Sequence, residues 1–161
     1  MFLIWFFLIC NVVLLLVLVG IGIRFAHLVV TVKGNSMSPT LQEGDRVVAL
    51  SWWPKSCLRK GQVILFEPMY TVLLPPFDKR IRSGQLSIKR IVAVPGEQVT
   101  TSMSDVQEGE QGRRIWHIPS GHVFVRGDNR SNSVDSAIAG PLPLQSVRGL
   151  VLMKLPGTFF L

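Results

Sequence analysis

The sequence predicts a mainly β protein, with antiparallel sheets forming a distorted barrel or sandwich, preceded by one N-terminal transmembrane helix. Two observations support this prediction. Residues 2–23 form an uncharged apolar run, and after it short β-rich runs alternate with glycine, proline and serine without a long helical period. Many short strands separated by turn residues are typical of packed sheets or barrels. At 161 residues the chain has room for about one folded domain, so we expect an anchor over residues 1–24 and a β-rich domain over residues 25–161.

The apolar run is long enough for an anchor. Its 22 residues span about 33 Å as a helix, against about 30 Å of bilayer hydrocarbon. A cleavable leader would have a basic start, a shorter apolar run and a small-residue cleavage site, none of which is present. A buried core helix would show a polar stripe. Arg24, His27 and Lys33 follow the run, which favours an outside amino terminus, but a long following domain is translocated largely regardless of charge. Charge alone therefore leaves the orientation open.

The predicted strands follow the apolar run at eight places, and two longer polar or proline-containing stretches, 68–84 and 102–114, are predicted as loops. The strands are predicted at 28–32, 46–50, 62–67, 87–94, 97–101, 116–118, 122–126 and 147–153.

The charge and the cysteine content limit the classes of function that the chain can have. All 17 basic and 10 acidic residues lie beyond the apolar run, so the net charge of +7 belongs to the β-rich domain. Such a domain beside lipid is attracted to anionic headgroups. Nucleic acid is the other common partner of a basic domain, but the basic residues are scattered without a dense tract, which argues against it. Cys10 lies in the apolar run and Cys57 in the domain, so we expect no disulfide between them and no metal site.

Ser36 is the first candidate for chemistry. It lies in the segment GNSMSPT (34–40), between Gly34 and Pro39, where a turn exposes a hydroxyl and a backbone N–H together. A serine needs a neighbouring base before it becomes a good nucleophile. Histidine is the usual base, so a Ser/His/Asp triad is an alternative that the composition leaves open. The chain has only three histidines, His27, His117 and His122, and none lies in a motif-like setting.

Lys89 is the better candidate base. It opens the segment KRIVAVPGE (89–97), and on a strand it shares a face with Ile91 and Ala93. If that face is buried, desolvation lowers the pKa of the lysine, and a neutral amine is able to accept the serine proton near neutral pH. The alternative is that Lys89 points to solvent and Arg90 points inward.

A third segment, GDNRSNSVDS (127–136), mixes turn formers with polar residues. Ser133 and Asp135 alternate and share one side if the segment is extended. The hydroxyl could orient a neighbouring amine, and the carboxylate could hold local backbone or an arginine. Alone, the beginning of this segment is simply a polar turn.

With these three segments in order after an apolar anchor, the chain resembles the type I signal peptidases, including their mitochondrial inner-membrane and Gram-positive branches. The resemblance extends to about Met153. It implies Ser36 as nucleophile and Lys89 as general base, within a β fold that has a hydrophobic substrate groove. The supporting residues that it implies are Met37, Pro39, Arg90, Asp128, Asn129, Ser133, Asp135 and Ser136.

The resemblance also implies the activity and its setting. It predicts a serine endopeptidase that removes signal or targeting peptides from exported precursors after small residues at positions minus one and minus three. It further implies a single-pass membrane protein with its catalytic domain on the extracytoplasmic side, partnered by precursors and the bilayer, and using no cofactor or metal. A catalytically inactive membrane-anchored binding module of the same fold is the alternative. The need for a second subunit stays open.

Two positions depart from the family pattern. Many bacterial members have an arginine after the last serine of the third segment, whereas Ala137 follows Ser136 here, so Arg90 and Arg130 become the candidate partners of Asp135. Some members place a serine two residues before the nucleophile as an oxyanion donor, whereas Gly34 stands there. The Ser36 backbone N–H is then expected to supply more of that stabilisation.

Overall fold

The computed structural model describes residues 2–51, 54–68, 85–102 and 113–156. All eight predicted strands are present; the largest difference is at the strand predicted from residue 116, which begins at Arg113. The short strand β8 and the one-turn helix α2 are not predicted by the sequence pattern. The bounds are α1 (Phe2–Ala26), β1 (His27–Thr31), β2 (Arg46–Leu50), β3 (Val63–Phe66), β4 (Ser87–Ala93), β5 (Gln98–Ser102), β6 (Arg113–His117), β7 (His122–Arg126), α2 (Ser136–Ala139), β8 (Leu142–Pro143) and β9 (Val147–Lys154).

Within the described residues, seven strands form one sheet in the order β1-β2-β9-β3-β4-β7-β8, and β5 and β6 form a separate two-stranded ribbon. All strand pairs are antiparallel, which confirms the predicted class. The end strands β1 and β8 do not pair with each other, so the predicted barrel is wrong in that the sheet is not closed. Strand β8 has only two residues, one of them Pro143, which has no N–H for a further ladder.

Strands β3, β4 and β7 lie next to one another inside the sheet and bury apolar side chains on both faces. Ile64 of β3 belongs to one buried cluster with Ile91 and Val125, and the adjacent Leu65 belongs to another with Ile88 and Met37. Alternating side chains point to opposite faces. The middle of the sheet is therefore covered on both sides, and a polar side chain placed there is removed from water.

Helix α1 runs through the predicted anchor and ends at Ala26, two residues past the predicted boundary. Its large apolar side chains between Ile4 and Leu18 are exposed. In the described parts of the chain, no helix has both the length and the apolarity needed to cross a membrane. The transmembrane assignment is therefore not confirmed, and the division at residue 24 stays a prediction. The two predicted loops fall largely on residues 69–84 and 103–112, outside the described residues.

Candidate active site

Ser36 lies in the connection between β1 and β2, and the residue after it fixes this connection to the core. Met37 is 1% exposed and packs in the cluster that contains Ile88. Its carbonyl accepts a hydrogen bond from the Leu41 N–H at 2.9 Å, which closes one turn. Gly34 has φ of +78°, a conformation that favours glycine. The chain therefore turns sharply before Ser36 and presents its side chain from a fixed position. Pro39, predicted to support this segment, is exposed on the outer side of the turn.

The Lys89 Nζ lies 2.6 Å from the Ser36 Oγ, within hydrogen-bond distance. Lys89 is 5% exposed. It pairs across the sheet with Ile64 and shares a face of β4 with Ile91, both fully buried. The structure therefore places Lys89 inward, as predicted, and not toward solvent. This arrangement is able to transfer a proton between a half-buried hydroxyl and a buried amine.

Arg90, the next residue, points the other way and forms an ion pair with Asp128. Its Nε and Nη2 atoms donate to the two carboxylate oxygens of Asp128 at 2.8 and 2.6 Å, and its Nη1 donates to the Gly61 carbonyl at 2.7 Å. The hydrogen bonds from Arg90 hold the pKa of Asp128 below its ordinary value, and the same contact raises the pKa of Arg90. The second and third segments are thus joined beside the Ser36–Lys89 pair.

Asn129 joins the third segment to the nucleophile segment. Its backbone N–H donates to the Ser36 carbonyl at 3.0 Å, and its side-chain amide donates to the Asn35 carbonyl at 3.2 Å. Gly127 lies in the same contact. A Cβ at that position would be 2.5 Å from the Ser36 carbonyl oxygen and 2.6 Å from the Ser133 Cβ, so only glycine allows the two segments to approach this closely.

Asp135 organises the third segment from within. It is 1% exposed. One carboxylate oxygen accepts hydrogen bonds from the Gly127 N–H at 3.0 Å and the Ser133 hydroxyl at 2.9 Å, and the other caps α2 through the Ala137 N–H at 3.0 Å. The carboxylate therefore holds both ends of the segment together.

The cationic partner of Asp135 is neither of the two arginines that were candidates from the sequence. It is Arg126, whose Nε lies 3.9 Å from a carboxylate oxygen, and not Arg90, which pairs with Asp128, or Arg130, which is exposed in the following turn. Arg126 ends β7 immediately before the third segment and is itself buried. The remaining predicted residue, Ser136, is also buried, and its hydroxyl accepts a hydrogen bond from the Val125 N–H at 3.1 Å.

A groove of about 520 Å³ opens beside the Ser36–Lys89 pair. Its walls come from two stretches of chain that are distant in sequence, the end of β1 with the segment after it and the start of β4. Strand β1 is at an edge of the sheet, and within the described residues the first three residues of β4 pair only with β3. Both walls therefore offer backbone groups to an extended peptide. The lining residues are Val30, Thr31, Val32, Lys33, Ser36, Met37, Gln85, Leu86, Ser87, Ile88 and Lys89.

Three features of this site were not anticipated from the sequence: Arg126 as the ion-pair partner, the close approach at Gly127, and Lys33 in the groove. The glycine that opens the third segment was a usable signal, because a glycine before two polar turn residues often marks a close approach of backbone. The contacts of Ser36 favour Lys89 over the histidine alternative, since Ser36 is hydrogen-bonded to Lys89 while His122 contacts the Ser120 carbonyl at 3.1 Å.

A buried lysine amine beside a serine hydroxyl on a β scaffold is an arrangement found in serine peptidases that do not use histidine. The sequence matches the family described as signal peptidase, peptidase S26, over residues 4–107 and 100–155. The chain belongs to this signal peptidase family and is a serine peptidase.

Curated relatives come from bacteria, mitochondria and chloroplasts. A probable signal peptidase I-1 of Synechocystis is 31% identical over 93% of this chain and 83% of the relative. Mitochondrial inner membrane protease subunit 1 of Mus musculus is 30% identical over 79% of this chain and 68% of the relative. Thylakoidal processing peptidase 1 of Arabidopsis thaliana is 32% identical over 74% of this chain and 39% of the relative.

Proposed function

We propose that the chain removes signal or targeting peptides from precursor proteins, with Ser36 as nucleophile and Lys89 as general base. The 2.6 Å contact between the Lys89 amine and the Ser36 hydroxyl is the observation that carries this proposal. Burial penalises the ammonium form of Lys89 and favours the neutral amine that a base requires.

The reaction proceeds in two steps, acylation of Ser36 and hydrolysis of the acyl ester. In the first, the Ser36 Oγ attacks the scissile carbonyl while its proton moves to the Lys89 Nζ, and the new ammonium then gives that proton to the departing amine as the peptide bond breaks. In the second, water attacks the acyl ester and gives a proton to Lys89, which returns it to the Ser36 oxygen. The enzyme is thereby restored with its hydroxyl and neutral amine.

The oxyanion of the tetrahedral intermediate would be held by the backbone N–H of Ser36. Gly34 has no side chain to donate, so the backbone at Ser36 must supply the stabilisation that a serine at position 34 supplies in some family members. The bonds from Asn129 to the Ser36 and Asn35 carbonyls hold this backbone in place. Asn129 therefore acts as a positioning residue.

The other predicted residues would support the same geometry without contacting the substrate. Asp128 and Arg90 join two segments by their ion pair, and Asp135 with Ser133 and Ser136 holds the third segment against β7. A role for Ser133 in orienting the Lys89 amine stays a prediction, because the observed hydrogen bond of the Ser133 hydroxyl is donated to Asp135.

The groove suits an extended peptide with small side chains next to the scissile bond. Backbone groups of an edge strand are able to pair with a peptide by strand addition, and apolar wall residues give selectivity through size. The buried Met37 and Ile88 are the apolar residues of the wall near the Ser36–Lys89 pair. We therefore propose cleavage after small residues.

We further propose that α1 anchors the chain in a membrane as a single pass, with residues 25–161 forming the catalytic domain on the extracytoplasmic side. The exposed apolar side chains between Ile4 and Leu18 support this, as does the mitochondrial inner membrane named for one relative. Confinement to the same surface would raise the effective concentration of membrane-bound precursors. Extraction of vesicles with alkaline carbonate tests the anchor: full-length chain that leaves with the soluble fraction contradicts it.

The catalytic assignment is tested with Ser36→Ala and Lys89→Met in detergent, using a precursor with a signal peptide and reading products by mass. We expect both variants to fold and to lose cleavage by a factor of at least about 10³, because removing nucleophile or base leaves only binding and oxyanion stabilisation. Ser56→Ala and Lys60→Met, at exposed positions outside the site, are the matched controls and keep wild-type rates. Normal cleavage by either site variant contradicts the assignment. An inactive wild-type protein also contradicts it and favours a binding module.

The neutral base also predicts a pH dependence. Cleavage should fall on the acid side as the Lys89 amine becomes protonated, because the ammonium has no lone pair to accept the serine proton. Single-turnover rates between pH 5 and 9, where chemistry limits, measure this. A flat profile over that range would rule out Lys89 as the titrating base.

A further inference from the structure

Lys33 stands at the lip of the groove in a fixed position. It precedes Ser36 by three residues, lines the groove and is exposed. The residue before it, Val32, is buried, and both of its backbone groups are bonded: its N–H donates to the Asp45 carbonyl at 2.7 Å and its carbonyl accepts from the Gly44 N–H at 3.0 Å. The backbone that leads into Lys33 is therefore fixed beside the groove, and the exposed Lys33 side chain extends from it.

The described residues that line the groove carry charge of one sign only. These residues include two lysines and no carboxylate, and Lys89 is buried against Ser36. No residue in the described ranges forms an ion pair with Lys33. Most described carboxylates are already engaged with other cations, in the pairs Asp45–Lys154, Glu67–Arg148, Asp128–Arg90 and Asp135–Arg126. Among the described residues that line the groove, the Lys33 ammonium is thus the accessible charge that an incoming peptide meets.

We infer that Lys33 makes the groove selective for charge, so that substrates with an acidic side chain near the scissile bond are preferred and those with a basic side chain there are disfavoured. This inference rests on the proposed function. Three residues cover at most about 10 Å even when fully extended, and the chain turns at Gly34, so the substrate position that meets Lys33 lies within about four residues of the scissile bond. Attraction to the Lys33 ammonium favours an acidic side chain, and repulsion disfavours a basic one. Specific binding sites commonly combine both effects.

The test uses the full-length chain in detergent and one neutral parent peptide that carries a cleavable signal sequence. Each of the four positions on either side of the scissile bond is changed in turn to Glu, Gln or Lys, and kcat/KM is measured at low and high salt. The enzymes are wild type, Lys33→Gln, Lys33→Glu and, as a control at an exposed lysine outside the groove, Lys60→Gln. Circular dichroism establishes that each variant is folded.

At one position or two adjacent positions, wild type should cleave the Glu peptide about 2- to 5-fold better than the Gln peptide, the size expected of an exposed ion pair. The Lys peptide should be the poorest. High salt reduces the preference, Lys33→Gln removes it, Lys33→Glu reverses it and Lys60→Gln keeps it. Equal cleavage of all three peptides at every position, or a preference that survives in Lys33→Gln, overturns the inference while leaving the proposed function intact. Failure of wild type to cut even the parent peptide contradicts the proposed function instead.

Discussion

Two regions of this protein are rich in polar side chains but are constructed differently. The first, the site corner, comprises Ser36, Lys89 and residues 127–136; the second is the ribbon of β5 and β6. In the corner, Lys89, Ser133, Asp135 and Ser136 are buried, whereas most side chains of β6 are exposed. The corner contacts join residues 53 and 94 positions apart, and the ribbon hydrogen bond from Trp116 to Thr101 spans 15.

This difference shows that the polar groups of the site corner, unlike those of the ribbon, depend on tertiary contacts. A buried polar group is stable only when its partners are in place, because water is not available to replace them. Substitutions in the corner should therefore cost stability and activity together. Substitutions in the ribbon should cost little of either.

The largest effect on stability is expected for Asp135→Ala. The change removes the acceptor for the Gly127 and Ala137 N–H groups and the carboxylate that faces the buried Arg126. Loss of one member of a buried ion pair typically costs about 3 to 5 kcal/mol. Urea unfolding in detergent measures the loss. Glu97→Ala removes an acceptor from a turn next to the ribbon and should cost about 1 kcal/mol; equal losses for the two variants would contradict the distinction between the regions.

Gly127→Ala should reduce activity more than its effect on folding explains. The added Cβ would collide with the Ser36 carbonyl and with Ser133, so the nucleophile segment must move, and a shift of about 1 Å costs on the order of 100-fold in rate. The control is Gly149→Ala, where the new Cβ would meet Ala49 and Leu65 in the sheet at 3.1 and 3.3 Å. That change should lower stability without a specific loss of kcat. Comparable kcat values for the two folded variants would count against a close approach at Gly127.

Asp128→Asn should show a smaller loss of stability that depends on pH. The pKa of Asp128 is lowered in the folded state by the hydrogen bonds from Arg90, so its contribution is fully present above the unfolded value of about 3.9 and is lost as pH falls through the lower folded value. We expect wild type to exceed the variant by about 1 to 2 kcal/mol at pH 7, with the difference shrinking below about pH 4. Unfolding curves at pH 7, 5 and 3 measure this. A difference that grows toward pH 3 would have the wrong sign.

The smallest effect is expected in the ribbon. Trp116→Phe removes the hydrogen bond from the indole N–H to the Thr101 hydroxyl, 3.1 Å long, and weakens the stacking of Arg114 on the ring. Because the phenylalanine ring keeps part of the stacking, the total loss of stability should be about 1 kcal/mol or less. Cleavage by the folded variant should equal that of wild type. A tenfold fall in kcat/KM would show that the ribbon is coupled to the site corner, for which the packing of Trp116 against Gly140 beyond α2 offers the route.

The sequence by itself determined the local elements and the candidate chemistry of this protein. Eight strands could be placed because alternating or continuous apolar runs between turn residues reflect local backbone preference and burial. The inward face of β4 could also be inferred, because Lys89, Ile91 and Ala93 repeat with the period of a strand. The three segments with Ser36, Lys89 and Asp135 stood out since a plain sheet has no use for their residue types.

Only the tertiary structure decided which of these residues meet and what surrounds them. The 2.6 Å contact between Lys89 and Ser36, the pairing of Asp135 with Arg126, the open sheet and the groove beside Lys33 all depend on the order of the strands. That order brings together residues tens of positions apart. Local patterns specify the face of each strand but not its neighbours, because neighbours are selected by packing of the whole sheet.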